Sequence, residues 1–440
     1  MIKRKKLLLT TLCLPLLFSC QSTPNYEWIT ISSTYNYIQT TSNTIVLPFN
    51  TVMTLKYFKD YDNKTYSDNF DNDLTNLYVN NVVSLHKKLD RHHNYYDVDG
   101  TTIVTNVKTI NDSYGTGEEI LCSDELYKLL KLGHQLTLDT DGAFNFYLGG
   151  LTSYWDYVLE EVSYDLSSYE IHDPLYSESS RAIINSFLES NVTLDEIENI
   201  MTFNDDKKSV IFNSIPDKDG YDRSTNTSPY RPLITSGGIA KGYATDILKE
   251  VLQQNNYYEG YLNSGSSSIT SLSDLTFTEK GYQNIGIVDP RSGGGFIRTA
   301  AFSLKLVNEY SLSTSANYTS DRSYKIIDPN TNKYIYRHHI INPVTCEPSI
   351  HHASVTVISN TFSNGQLDAL STAFVNLPLD EAVEYKKELL SLYPNHDLDL
   401  IFMDLDKNNE DKLIITISSD HITKQDIKIE AKDCVVNYVK

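Results

Sequence analysis

The stretch "TSGGIAKGYATDIL", Thr235 to Leu248, decides how this chain is interpreted. Small and apolar side chains recur along it at the spacing of one face of an α-helix, and two glycines precede the predicted helix. Lys241 lies in the predicted first turn, where unpaired backbone N–H groups and the positive end of the helix dipole attract anions. A cation is unfavourable there unless an anion binds beside it, so the pattern indicates an anionic ligand.

A second helix is predicted in "NGQLDALSTAFVNLP", residues 364–378. Asp368 and Thr372 are four residues apart, so a helix places both side chains on one face, one turn from each other. A carboxylate and a hydroxyl in this arrangement offer two hard oxygen ligands to a cation such as Mg²⁺. The alternative is an exposed acid in the first helical turn, where the helix dipole alone makes it favourable.

The chain begins with "MIKRKKLLLTTLCLPLLFSC", which has the layout of a secretory signal peptide. Its apolar run is too short to cross a bilayer as a permanent helix. The ending "LFSC" resembles a bacterial lipobox, with Phe18 as a departure. We therefore predict a signal peptide over residues 1–19 and a lipidated Cys20 followed by a flexible tether over residues 20–43. This arrangement implies an extracytoplasmic protein, lipid-anchored to the bacterial cell membrane. An ordinary cleaved signal, with Cys20 unmodified, is the alternative.

Charge and cysteine content exclude several classes of protein. Loss of the four cations of the signal peptide lowers the formal net charge from −20 to −24. Such a surface repels nucleic acid, so no nucleic-acid partner is expected, and a phosphate-bearing ligand needs a locally compensated pocket. The three cysteines that remain besides Cys20 form neither a disulfide framework nor a zinc-binding spacing.

The order of predicted elements indicates an α+β fold. A half-buried strand is predicted in residues 44–58, an amphipathic helix in residues 74–92 and another helix after Ser123 as N-cap. Residues 139–155, "DTDGAFNFYLGGLTSYW", are predicted to form an aromatic, glycine-rich loop. The later half is mostly strands and ends in a hairpin over residues 398–418. Because no βαβ period is present, we expect a single large domain over residues 44–440, with mixed sheets and packed helices.

Four segments together carry a resemblance to a known family: "DGAFNFYLGGLTSYW", "GGIAKGYATDIL", "HIINPVTCEPS" and "LDALSTA". Over about residues 45–419 the chain resembles the ApbE family of FAD:protein FMN transferases. The resemblance implies an ApbE-like fold, FAD as substrate and Mg²⁺ as cofactor. It also implies a secreted or membrane acceptor flavoprotein, whose Ser or Thr hydroxyl receives FMN while AMP is released.

The same resemblance assigns site residues. It implies a Mg²⁺ site formed by the Asp368 carboxylate, the Thr372 hydroxyl and the backbone carbonyl of Gly238. His339, in the segment similar to the family's "HIIDP", is implied to be catalytic or to contact phosphate, and Asp368 is implied to be catalytic as well. The implied FAD contacts are Phe49, Ala143, Phe144, Asn145, Thr235, Lys241, Thr314 and His339. The aromatic rings of Phe144, Phe146 and Tyr147 could offer flat apolar faces to the flavin and adenine rings.

Departures from the family pattern keep alternatives open. Thr235, Asn145 and Asn342 stand where the family has Asp, and Cys346 and Ala316 fill positions often held by Gly. Since Asn and Thr keep hydrogen bonding but lose negative charge, a non-catalytic flavin-binding lipoprotein is one alternative. An FAD pyrophosphatase, with water as acceptor, is another. For the histidines other than His339 we expect surface or packing roles.

Overall fold

The computed structural model describes residues 25–33, 36–161, 173, 175–189, 192–215, 220–222, 227–265, 267–273, 281–292, 298–307, 309–317, 323–406 and 409–440. The predicted signal peptide and Cys20 lie outside these residues, so their prediction stays a prediction.

The helices of the described residues include the two that were predicted around Lys241 and Asp368. In chain order they are α1 (Phe70–Leu89), α2 (Val107–Asp112), α3 (Asp124–Asp139), α4 (Gly149–Glu161), α5 (Glu178–Glu189), α6 (Leu194–Ile200), α7 (Ala240–Gln254), α8 (Asn364–Val375) and α9 (Leu379–Leu392).

The strands are mostly short and most of them lie in the second half of the chain. They are β1 (Tyr26–Ser32), β2 (Ile38–Gln39), β3 (Ile45–Val46), β4 (Met53–Asp60), β5 (Ile120–Leu121), β6 (Met201–Asn204), β7 (Ser209–Phe212), β8 (Gly220–Asp222), β9 (Thr227–Tyr230), β10 (Gly260–Ser264), β11 (Ser268–Ser271), β12 (Tyr282–Val288), β13 (Ala300–Val307), β14 (Ser311–Ala316), β15 (Ser323–Ile327), β16 (Tyr334–His338), β17 (Ser354–Ser359), β18 (Asp399–Asp406), β19 (Asn409–Ser418), β20 (Ile427–Ile429) and β21 (Cys434–Val439).

A nine-stranded sheet organises the domain, in the order β1-β4-β10-β11-β14-β17-β18-β19-β21. Neighbouring strands are antiparallel except the β19–β21 pair, which is parallel. Helices cover one face, where Tyr243 of α7 and Ala369 of α8 share a buried cluster with Leu55 of β4. The three-stranded sheet β12-β13-β20 packs against the other face through Phe302 and Ile358. The α+β prediction is confirmed.

Local sequence signals explain where the helices near the site begin. Ser123 accepts a hydrogen bond from the Leu126 N–H and caps α3, as predicted. Ser363 and Gln366 form a capping box at the start of α8, in which each side chain bonds the other residue's backbone N–H. The predicted hairpin over residues 398–418 is the antiparallel pair β18 and β19.

The predicted flexible tether over residues 20–43 is wrong for residues 26–32. These residues form β1, which pairs with β4 along its whole length at the edge of the main sheet. Trp28 packs its ring against Phe58, with ring centroids 5.1 Å apart, and Ile31 is buried. Backbone pairing and buried apolar surface therefore hold this segment against the domain.

Among the described residues, no helix combines the length and the apolar character that crossing a membrane requires.

Candidate functional site

A cavity of about 1310 Å³ is lined by the residues predicted for flavin and metal, except Phe146 and Tyr147. The cavity lies around the start of α7, the loop before α4, the ends of β14 and β16, and one face of α8. These segments come from distant parts of the chain, so only the fold makes them neighbours. The predicted residues that line the cavity are Phe49, Ala143, Phe144, Asn145, Thr235, Gly238, Lys241, Thr314, His339, Asp368 and Thr372.

The start of α7 is capped by a carboxylate from another helix. The N-cap residue, Ile239, has no side chain that could accept a hydrogen bond, and no acid lies in the first turn. Instead the buried Asp368 of α8 accepts the Gly242 N–H through Oδ2 at 3.0 Å. Its Oδ1 lies 3.2 Å from the Ser267 and Ser313 hydroxyls, which donate to it. The carboxylate is thus oriented by three donors and satisfies an orphan helix N–H.

Gly238, Asp368 and Thr372 line the same cavity, and we call them the oxygen cluster. A Cβ atom placed on Gly238 would lie 3.1 Å from Thr372 Oγ1, so Gly238 and Thr372 are neighbours with little room for a side chain between them. The Thr372 hydroxyl also lies 3.2 Å from the Ser315 hydroxyl. Across the described residues, no group of three or more His, Cys, Asp or Glu could hold a metal. One carboxylate with hydroxyl and carbonyl oxygens fits a hard cation that keeps several waters, as Mg²⁺ does.

Lys241 lines the cavity at the same helix start. Its ammonium donates a hydrogen bond to the Gly237 carbonyl at 3.2 Å, and the residue is partly exposed. The side chain therefore bends back toward the glycines rather than extending away along the helix. It places a positive charge within the mouth of a cavity on an acidic protein, where an anion can reach it.

The aromatic segment before α4 differs from its prediction in two ways. Gly149 is the first residue of helix α4. Its N–H bonds the Leu233 carbonyl, and a Cβ there would lie 2.6 Å from that oxygen, so only glycine allows this close contact. Residues 149–155 are therefore helix α4, not loop. Phe146 and Tyr147 are fully buried in the core and do not line the cavity, so the prediction that they face the ligand is wrong. Of the three rings, only that of Phe144 lines the cavity.

Thr235 and Asn145 line the cavity, but backbone hydrogen bonds also bind their segments together. The Thr235 N–H donates to the Phe146 carbonyl at 2.8 Å. The side-chain oxygen of Asn145 accepts the Tyr147 N–H at 2.8 Å. Next to Thr235, both backbone groups of Ile234 pair with the buried Asn111 amide. These bonds hold the two cavity-lining segments together, and an aspartate at position 145 could accept the Tyr147 N–H in the same way.

Asn342 holds a loop and does not line the cavity. Its Oδ1 accepts the Val344 and Thr345 N–H groups, and its Nδ2 donates to the Asn376 carbonyl at 3.1 Å. An aspartate could not make the last bond, so this departure from the family pattern is compensated locally. Cys346, at a position often held by Gly, adopts a left-handed φ of 55°. The backbone has kept the conformation that glycine favours.

The adjacent histidines at the end of β16 face different surroundings. His338 is fully buried; its Nε2 lies 2.7 Å from the Ser349 carbonyl, and burial lowers its pKa to about 3. His339 is exposed and lines the cavity. Alternation along an extended chain therefore brings the predicted histidine, and not its neighbour, to the ligand side.

His86 is buried and has the packing role expected of it, but its place in the cavity wall was not predicted. His86 lines the cavity, and its Nδ1 accepts the Phe49 N–H at 3.0 Å while Nε2 lies 2.9 Å from the Tyr95 hydroxyl. Phe49 has a left-handed φ of 53°, which is strained for a bulky residue. The Phe49 and His86 rings also meet edge to face, 5.4 Å apart. His86 thus holds Phe49 in place, and only the amphipathic pattern of α1 pointed toward its burial.

Comparisons with known proteins concern the family and the fold of this chain. The sequence model of the ApbE family matches residues 49–393. The chain is similar in structure to the ApbE protein of Thermotoga maritima, with a TM-score of 0.53, 20% identity, and 80% of this chain and 92% of that chain covered. It is similar to the flavin transferase ApbE from Vibrio cholerae, with a TM-score of 0.54, 14% identity, and 90% and 98% of the two chains covered.

A third solved structure, the apo form of the flavinyl transferase ApbE of Pseudomonas stutzeri, gives a TM-score of 0.53 at 17% identity, with 90% of this chain and 95% of that chain covered. No curated protein sequence matches the chain significantly. At these identities the solved structures show a shared fold, and the family match spans most of the chain. The predicted family is thereby confirmed: this chain belongs to the ApbE family.

Proposed function

We propose that this protein transfers the FMN part of FAD to a Ser or Thr hydroxyl of an acceptor protein, with Mg²⁺ as cofactor and AMP as leaving group. The observation that carries the proposal is the convergence of Lys241 and the oxygen cluster in one cavity of an ApbE-family chain. In this reaction the acceptor oxygen forms a bond to the FMN-side phosphorus. The bond from that phosphorus to the oxygen bridging to AMP breaks, and AMP leaves.

The residues of the chain bind and orient the diphosphate. Lys241 and the N-terminal end of α7 supply positive potential to its oxygens, in a position fixed before the ligand arrives. The oxygen cluster would hold Mg²⁺, which neutralises diphosphate charge when bound. His339 lies exposed in the cavity wall, where it could accept the proton of the acceptor hydroxyl or contact phosphate. Phe144 offers an apolar ring to the flavin.

Covalent labelling tests this proposal directly. The purified protein, FAD, Mg²⁺ and a secreted flavoprotein of the host as candidate acceptor are incubated, and flavin fluorescence is read in a denaturing gel. We expect a fluorescent acceptor band that is lost with Asp368→Ala, because the buried carboxylate of the oxygen cluster is removed. Asp380→Ala, which removes an exposed acid from the first turn of α9, should keep the band. Absence of labelling with every such flavoprotein would contradict the transfer.

The same incubation separates the two alternative functions. FMN and AMP released without any acceptor protein would identify an FAD pyrophosphatase. Tight FAD binding with neither AMP release nor dependence on a divalent metal would identify a non-catalytic flavin-binding protein. The loop around Asn342 supports the transferase over the binder, because the amide of Asn342 donates to the Asn376 carbonyl, a bond that explains its lack of charge.

We also propose that the protein is anchored outside the cytoplasm by lipid on Cys20, as the first twenty residues suggest. Metabolic labelling with a palmitate analogue should mark the wild-type protein. The Cys20→Ser variant should stay unlabelled and appear in the soluble fraction. Labelling that persists in this variant would refute the assignment of Cys20.

A further inference from the structure

Helices α7 and α8 cap each other's N-termini. Asp368 of α8 accepts the N–H of Gly242 in the first turn of α7 at 3.0 Å. In return, Asp246 of α7 accepts the Asn364 N–H at 2.9 Å through Oδ1 and the Gly365 N–H at 2.8 Å through Oδ2. The two backbones approach each other at Gly242 and Asn364. Asp246 and Asp368 each lie four residues, or about one turn, further along their own helix, so the arrangement is reciprocal.

The two backbones are in close contact between these carboxylates. A Cβ on Gly242 would lie 2.1 Å from the Asn364 carbonyl oxygen and 2.7 Å from Asp368 Cβ. The Asn364 side chain also donates to Asp246 Oδ1 at 2.9 Å. A glycine at this position lets the helices approach, and the carboxylate of Asp246 then joins them by three hydrogen bonds. Sliding of one helix along the other would break these bonds.

The start of α8 depends on a residue of α7. The capping box of Ser363 and Gln366 satisfies only the third N–H of α8, whereas the N–H groups of the buried residues Asn364 and Gly365 are bonded by Asp246. What Asp246 adds is a connection to another helix, at the expense of placing a carboxylate in poorly hydrated surroundings. Burial raises the pKa of the Asp246 carboxyl, and its bonds to Asn364 and Gly365 oppose that rise. A buried carboxylate of one helix that bonds the first N–H groups of another indicates a role between the helices.

That role concerns the oxygen cluster, because its members come from both helices. Gly238 precedes α7, whereas Asp368 and Thr372 lie on α8. Their distances therefore depend on the register of one helix on the other, which Asp246 controls. Asp246 itself does not line the cavity.

We propose that Asp246 is a positioning residue for the oxygen cluster: by fixing α8 against α7, it sets the geometry in which the cluster binds a divalent cation. This inference rests on the proposed function, in which the oxygen cluster is the metal site. Loss of an outer group that orients metal ligands typically lowers metal affinity about 10- to 100-fold.

Mn²⁺ binding tests the inference without measuring turnover. Free Mn²⁺ is followed by electron paramagnetic resonance with the full-length protein, in the presence and absence of FAD. We expect Asp246→Asn to raise the Kd for Mn²⁺ about tenfold, since the amide oxygen keeps one of the two backbone bonds and loses the other. Asp380→Asn, the matched change at the start of α9, should leave the Kd unchanged. Urea unfolding without metal measures the separate effect of each change on stability.

The possible outcomes distinguish the two proposals. An unchanged Kd for Asp246→Asn, beside a wild-type protein that binds Mn²⁺, refutes the positioning role and leaves the proposed function intact. A purely structural role predicts this same result together with lower stability. A wild-type protein that binds no Mn²⁺, with or without FAD, refutes the metal site and the inference together. Asp246→Asn is preferred to Asp246→Ala because it retains the shape of the side chain and one acceptor oxygen. The Kd of Asp246→Asn therefore decides the question even if Asp246→Ala fails to fold.

Discussion

Replacing Gly242 with alanine measures how closely α7 and α8 approach. The new methyl group would lie 2.1 Å from the backbone oxygen of Asn364, a contact that no side-chain rotation can relieve. Overpacking of this kind costs typically 1–3 kcal/mol, and contact with backbone places this site near the upper value of about 3 kcal/mol. Alanine favours a helix over glycine by about 1 kcal/mol. The free energy of unfolding should therefore fall by about 2 kcal/mol.

Urea unfolding followed by circular dichroism is the assay, with Gly237→Ala as matched control. A Cβ on Gly237 meets only the Thr235 hydroxyl, at 3.9 Å, so the urea midpoint of this variant should equal that of the wild type. Because the methyl group also pushes against Asp368 Cβ, Gly242→Ala should weaken Mn²⁺ binding. A Gly242→Ala variant as stable as the wild type, or more stable through its helix propensity, would refute the close contact between the helices.

Two further predictions concern His86 and Asn342, whose partners only the structure shows. Burial lowers the pKa of His86 to about 4, below the value of about 6.5 expected in the unfolded chain, so the unfolded state binds more protons between these values. The free energy of unfolding should therefore fall as the pH falls from about 6.5 to about 4. The fall should be larger in the wild type than in His86→Asn, by up to roughly 3 kcal/mol. Equal pH dependence of the two proteins in urea titrations would refute this. Asn342→Asp, although it restores the family's residue, should lower the free energy of unfolding by about 2 kcal/mol, because it places a carboxylate oxygen against the Asn376 carbonyl. Asn80→Asp, on the exposed side of α1, is the control, and equal urea midpoints for both variants would contradict the Asn342 contact.

The helices that carry the site were predictable because their signals are local. Apolar spacing identified α7 and α8, and spacing of four residues placed Asp368 and Thr372 on one face. The resemblance to the ApbE family then brought these helices together, which periodicity alone could not do. Asp246 was missed for the same reason: along the chain it is an acid on a helix, and only the position of α8 shows its partners.

The errors arose where long-range partners decide the structure. Residues 26–32 are rich in polar and aromatic side chains and gave no clear sign of regular structure, yet they pair with β4 over seven residues. Residues 149–155, the first turns of α4, were predicted as loop because of their glycines. Gly149 in fact allows close contact with Leu233, more than eighty residues away. Glycine signals flexibility or close packing equally well, and the sequence alone does not distinguish them.

The edge strand β1 has a consequence for where the domain would sit on a cell. Its first residue, Tyr26, follows Cys20 by only six positions, and an extended chain of that length spans about 20 Å at most. With lipid on Cys20, as proposed, β1 and its edge of the main sheet would be held within about 20 Å of the bilayer surface. The domain would then meet its acceptors by lateral diffusion along the membrane and not by diffusion through the surrounding volume.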